Sequence, residues 1–120
     1  MITEKEAKSA LALTREELLL GWYDSELRRT TGIGYDEAQG FREDFLASFE
    51  RWCSVRSVKT KICDEWNYCQ KLKEHKSQVD LVLALASFIL GAFGVDAAES
   101  LCAAVLVVRE EVGVACECDE

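Results

Sequence analysis

DLVLALASFILGAFGVDAAESLCAAVLVV, residues Asp80 to Val108, is the most apolar stretch of the 120-residue chain, and its reading decides the fold. No charge falls in the 15 residues from Leu81 to Val95, and none in the nine from Ser100 to Val108. A membrane-spanning helix needs about 20 consecutive apolar residues. Neither run reaches that length. Asp80, Asp96 and Glu99 bracket the runs, and acids at the tip of an inserted hairpin are costly. No membrane span is expected, and the stretch reads as two helices of a protein core. The first starts at Ser77-Gln78-Val79-Asp80, a variant capping box with Asp in place of Glu. It runs to about Ala92 or Phe93, and Gly94 ends it. The second opens with the box Asp96-Ala97-Ala98-Glu99, runs to about Val112 and stops at Gly113.

Both helices are apolar nearly all round, the pattern of helices covered on most sides. Ala84, Ala86, Gly91, Ala92, Ala97, Ala98, Ala103 and Ala104 are small, so the two axes can approach closely. Leu85, Phe88, Leu90, Leu101 and Leu106 are the expected core. A chain of this length has limited cover for such a hairpin. Some of its surface is therefore expected to meet another protein or a second copy.

Helix signals continue upstream. Thr14-Arg15-Glu16-Glu17 is a capping box that predicts a helix over about Arg15–Arg29, with Leu20, Tyr23 and Leu27 along one side. Ile2–Leu13 reads as a separate short helix. Thr30–Gly40 is a turn region, with Gly32 as a C-cap and Asp36 as the next N-cap. Its glycines match neither a dinucleotide fingerprint nor a phosphate loop. From Asp36 to about Glu74 runs the longest helical segment. Phe41, Phe45 and Trp52 line one face, with Phe49 beside them. Downstream the stripe is Val55, Val58, Ile62, Trp66 and Cys69. Its centre is rotated by roughly 100° from the first stripe at 100° per residue. A bend or break between Ser54 and Thr60 is the expectation. No strand pattern and no proline occur. The fold class is all-α: one domain over 1–120, a compact bundle of four to six helices around a central hairpin at about 78–112. A short acidic tail occupies about 113–120.

The net charge is −8, which repels nucleic acid and anionic lipid. The charge is polarised: residues 55–78 carry six basic and three acidic groups, and residues 79–120 carry one and eight. The N-terminal sequence lacks a signal peptide's apolar run. A cytoplasmic location follows as the expectation, with Cys53, Cys63, Cys69, Cys102, Cys116 and Cys118 as free, mostly buried thiols.

Little in the sequence suggests catalysis. His75 is the only histidine and sits at a polar helix end, where a cation complements the dipole. A nucleophile pair with Cys69 rests on sequence proximity alone. Glu16-Glu17, Glu43-Asp44 and Glu110-Glu111 read as surface neighbours. Cys116-Glu117-Cys118 offers two thiolates to a soft metal, but no second pair with zinc-type spacing exists. No metal and no cofactor are expected.

These features lead to a non-enzymatic protein-binding module that presents a helical surface: an adaptor, inhibitor or regulatory subunit. Small, acidic, helical chains of this kind include immunity-type and accessory components of bacterial conflict systems, although no motif carries that likeness. Its partner is another protein or a second copy in a homodimer. Arg56, Lys59, Trp66, Lys73, Phe88 and Phe93 are the candidate interface. The first alternative is a nucleic-acid-associated protein using the basic 56–76 segment, with Trp66 and Tyr68 as stacking groups. The second is a cysteine-based redox or metal-binding protein.

Overall fold

A computed structural model describes residues 2–31, 45–75 and 77–109, and every regular element among them is helical. The elements are α1 (Glu4–Leu11), α2 (Arg15–Thr31), α3 (Phe45–Val55), the single turn α4 (Val58–Thr60), a π-helical turn (Lys61–Glu65), α5 (Tyr68–Glu74), α6 (Gln78–Phe93) and α7 (Ala97–Val108). The all-α expectation holds. The helices outnumber the expected four to six because the long third segment is cut into pieces.

Local chemistry accounts for the starts and stops. Thr14 Oγ1 accepts from the Glu17 amide at 3.1 Å, and the Glu17 carboxylate accepts from the Thr14 amide at 2.9 Å. Thr3 and Glu6 form the same reciprocal box at the start of α1. Ser77 Oγ accepts from the Asp80 amide at 3.1 Å, and the Asp96 carboxylate accepts from the Glu99 amide at 2.9 Å. Each such cap satisfies a donor that the first helical turn leaves open. Gly94 stops α6 in the left-handed region, at φ 65°. A Cβ there would meet nothing within 4 Å, so only backbone strain opposes substitution. Gly94→Ala is expected to cost about 1–2 kcal/mol, read as a lower urea midpoint. An unchanged midpoint would show that the α6–α7 turn relaxes freely.

The third segment breaks where the two apolar stripes fall out of phase. α3 ends at Val55, and Ser57 adopts φ 53° before α4 begins. A second break, unforeseen, comes at Asn67 with φ 62°. Just before it the helix widens, and the Trp66 amide donates to the Lys61 carbonyl at 2.9 Å, five residues back. These breaks turn Phe49 and Trp52 toward α2 while Val58 and Ile62 still reach the core; all four are buried. Val55, expected on the inner stripe, stands at the break and is 74% exposed. Phe41, Gly32, Asp36, Gly113 and the acidic tail lie outside the described residues.

α7 is the central helix. Its residues from Glu99 to Val107 are all buried, between α6 on one side and α2 on the other, with α1 against both α6 and α7. Gly21 permits the approach of α2, since a Cβ there would lie 3.1 Å from Cys102 Sγ. Arg109, capping the far end of α7, donates to the carbonyls of Leu13 at 2.6 Å and Leu11 at 3.3 Å. It thereby satisfies acceptors at and just after the end of α1.

Two expectations about the core change. The buried side of α2 is Leu18, Leu19, Trp22 and Ser25, while Leu20 is 38% exposed. Trp22 has the most apolar area to hide on this helix, and its ring direction sets the rotation. α6, expected to be covered on most sides, is an outer helix. Leu81, Val82, Leu85, Ala86, Ile89 and Phe93 are buried, but Phe88 and Leu90 are half-buried and Ser87, Gly91 and Ala92 exposed. Among the described residues the exposed large apolar side chains are only Leu20, Val55 and Leu72. The chain itself therefore covers most of the hairpin that seemed to need a partner. None of the described helices is long and apolar enough to cross a membrane.

Candidate functional site

The residues between α3 and α6 form a strap that runs alongside α6, antiparallel to it. Three side-chain contacts establish the direction. Near the C-terminus of α6, Arg56 Nη2 donates to the Phe93 carbonyl at 2.8 Å, and its guanidinium lies 5.5 Å from the centre of the Phe93 ring. Further along, Trp66 stacks on Phe88 with centroids 5.9 Å apart and ring planes 31° apart. At the N-terminal end, Leu72 and His75 face Ser77, Gln78 and Leu81 across a shallow cavity of about 270 Å³ that Val108 also lines. The contacts are made by long side chains reaching inward from a broken helix.

Six candidate interface residues were expected here, and the fold divides them. Arg56 and Phe93 are brought together, but inward. Phe93 is 4% exposed and its ring is 5.5 Å from that of Trp52, so it belongs to the core and is removed from the interface set. Arg56 is spent on the open carbonyl at the end of α6, where a cation also complements the helix dipole. Trp66 and Phe88 meet each other and are half-buried. Lys71 Nζ sits 5.9 Å from the centre of the Trp66 ring, and Tyr68 packs against the same ring at 6.2 Å. Lys59 and Lys73 alone of the six are exposed, and neither has an ion-pair partner among the described residues.

The basic character of the strap is correspondingly reduced. Lys61 pairs with Glu65 at 3.4 Å and Lys71 with Glu74 at 3.9 Å. Such exposed pairs are worth about 0–1 kcal/mol, yet a phosphate would have to displace a carboxylate at each. With Arg56 committed, Lys59 and Lys73 are the cations of the segment left without an ion-pair partner among the described residues. Two phosphate contacts would give a log–log salt slope of only about −2. The strap leaves Val55 74% exposed and Leu72, at the rim of the cavity, 44% exposed.

The cysteines differ from expectation. Cys53 and Cys102 are free and buried, but Cys63 and Cys69 are disulfide-bonded. Cys63 lies in the π turn and Cys69 in α5, on either side of Asn67. The expectation of free thiols throughout is corrected at these two positions. The free thiols are chemically quiet. Burial, helped by Glu50, pushes the Cys53 thiol up to about 12. Burial, then Asp96 and Glu99, does the same for Cys102. A thiol so held is neutral and unreactive near pH 7.

A pH dependence follows. Above the unfolded value of 9.0 the unfolded chain ionises these thiols, while the folded chain keeps them protonated to about 12. The stabilising contribution is thus complete below pH 9 and lost as pH climbs toward 12. The expected decline is about 1.4 kcal/mol per pH unit for each thiol within that window. Urea midpoints from pH 8 to 11 should fall less steeply for a Cys53→Ala, Cys102→Ala double variant. Equal slopes would show that neither thiol is held neutral.

Other sites expected from the sequence receive little. His75 is half-buried at the rim of the cavity. Cys116 and Cys118, the candidate metal ligands, lie outside the described residues. Among the described residues no cluster of three His, Cys, Asp or Glu side chains could hold a metal ion. Glu99, read from the sequence as a cap residue, is wholly buried. No family model, no characterised protein and no solved structure matches this chain. The sequence analysis missed the exposed Val55 and Leu72 and the bonds at Cys63 and Cys69. Asn67, one of the residue types that visits the left-handed region, was the one local signal of the second break.

Proposed function

We propose that the chain is a non-enzymatic protein-binding module, an adaptor, inhibitor or regulatory subunit, that docks through the outward side of residues 55–74. One observation carries this reading. The strap holds two non-glycine residues, Ser57 and Asn67, in left-handed backbone. Each such residue costs on the order of 1–3 kcal/mol and persists only where its surroundings over-determine it. Here the surroundings do so. Disulfide bonds at Cys63 and Cys69 flank Asn67, and Arg56 and Trp66 anchor the strap along α6. A π turn, a feature frequent at functional sites, lies between the two strained residues. A rigid, pre-shaped segment loses little entropy on binding, and this one displays Val55, Lys59, Leu72 and Lys73.

The protonated state of Cys53 and Cys102 supports a non-enzymatic role. The small number of unpaired lysines among the described residues favours a protein over nucleic acid as partner. Disulfide-bonded cysteines argue for an oxidising compartment and against the cytoplasm. A second copy of the chain is the alternative partner.

Site-specific photo-crosslinking in the native host tests the reading. A benzophenone side chain at position 72 should give a discrete protein adduct, and one at the exposed position 87 of α6 should not. The adduct should disappear when Lys59 and Lys73 are both replaced by Glu, and should survive 0.5 M salt. Equal adducts from both positions, or none from position 72, would refute the docking surface. Salt-sensitive capture of DNA or RNA in place of protein would reverse the choice of partner.

A further inference from the structure

Building on the docking role proposed above, we infer that the cavity at the N-terminal end of α6 takes one aliphatic side chain of the partner protein, carried by a segment in which acidic residues flank it. Leu72, His75, Ser77, Gln78, Leu81 and Val108 line about 270 Å³ there. Sites for small molecules run from about 300 to 1,000 Å³. This cavity falls below that range, so it is matched to a single side chain rather than to a metabolite.

The wall of the cavity is apolar from floor to rim. Leu81 is buried, Val108 half-buried and Leu72 exposed. Leu72 is one of only three large apolar side chains so exposed among the described residues. An aliphatic group seated against it removes that surface from water, which is favourable in proportion to the area covered. Binding energy at interfaces concentrates where an anchor side chain of one protein fills a pocket of the other. The mouth is polar and its groups are uncommitted. Ser77 Oγ accepts from the Asp80 amide, which leaves its hydrogen free to donate. The His75 ring and the Gln78 carboxamide make no hydrogen bond to the described residues. Around an inserted side chain these groups can serve the main-chain N–H and C=O of the segment that carries it.

Charge determines what flanks the anchor. In α5 the Glu74 carboxylate is taken by Lys71 at 3.9 Å. Lys73, next to Leu72, is exposed and has no ion-pair partner among the described residues. On α6, Gln78 and Leu81 lie about 60° apart around the helix axis and both line the cavity, whereas Asp80 lies about 160° from Gln78, on another side. Lys73 is therefore the unneutralised charge beside the mouth among the described residues. A segment with acids on either side of its aliphatic residue is drawn to that charge, and one with lysines is repelled.

Capped pentapeptides are the probes: a central leucine with a glutamate on each side, the same peptide with lysines in place of the glutamates, and the same with serine in place of the leucine. Each is titrated into the isotope-labelled full chain and followed by nuclear magnetic resonance. The glutamate–leucine peptide should shift the amide signals of Leu72, Ser77, Gln78 and Leu81, leave those of α2 in place, and bind about tenfold tighter than either of the others. Lys73→Glu should invert the order of the glutamate and lysine peptides. Gln78→Trp, which fills the mouth, should abolish the shifts. Both positions are exposed, and unmoved amide signals from α7 report that each variant keeps the fold. Equal binding of the three peptides, no shifts at millimolar peptide, or an order that Lys73→Glu leaves unchanged would each overturn the inference. If the peptides fail while the adduct from position 72 still forms in the host, the docking surface stands and this anchor falls. If the adduct fails while the peptides bind in the expected order, the cavity keeps its preference and the docking role falls.

Discussion

Leu106→Ala is expected to cost about 2–5 kcal/mol of folding stability, and Leu85→Ala a similar amount. Both side chains are fully buried. Leu106 lies in α7, which has α6 on one side and α2 on the other. A cavity opened there is walled by helices that cannot all move in, and the surviving void adds to the lost transfer energy. Phe88→Ala and Leu90→Ala are the comparison, because both side chains lie on the outer half of α6 and are only half-buried. They should cost clearly less than Leu106→Ala. Urea unfolding of the four variants, with m-values checked for constancy, makes the measurement. If Phe88 or Leu90 proves as costly as Leu106, then α6 is covered by more than the described residues. In that case the interface first suggested by the apolar hairpin returns.

Trp22→Ala should cost about 3–5 kcal/mol, in the lower part of that range. Trp22 is fully buried where α2 meets α3. Its ring meets Phe49 edge-on at 5.0 Å and lies 5.7 Å from Trp52. Such aromatic pairs add about 0.5–1.5 kcal/mol to area burial. One term opposes this. The Trp22 indole nitrogen is buried with no hydrogen-bond partner among the described residues, a defect worth about 1–3 kcal/mol, and truncation removes it with the ring. Leu20→Ala, two residues away but 38% exposed, is the control and should cost much less. Thermal unfolding of both variants decides the matter. A Leu20 variant as damaged as the Trp22 variant would mean that α2 is rotated toward the face first read from the sequence, with Leu20 and Tyr23 inward.

What the sequence determined by itself was what local chemistry enforces. The capping oxygens of Thr14, Ser77 and Asp96 each serve an amide three residues on, so the starts of α2, α6 and α7 were legible. Gly94 was legible as a stop for the same reason: the conformation needed there is one that few other residues accept. Two apolar stripes out of phase cannot share one straight helix, so the break near Ser57 was legible too. At the candidate site the structure leaves Lys59 and Lys73 exposed and brings Trp66 onto Phe88.

Tertiary structure decided the rest, because these choices depend on partners distant in the chain. Residues 18–23 read LLLGWY and support more than one apolar face. Only the packing of Trp22 on Phe49 and Trp52, and of Gly21 on Cys102, selects one. Arg56 looked like a surface cation until the fold brought it to the Phe93 carbonyl, 37 residues away. Phe93 became core by that arrangement. Both hairpin helices looked alike in composition, yet α7 is central and α6 is outer, because α2 can pack on only one of them. Cysteine spacing carries no record of pairing, since a disulfide depends on which thiols the folded chain brings within bonding distance.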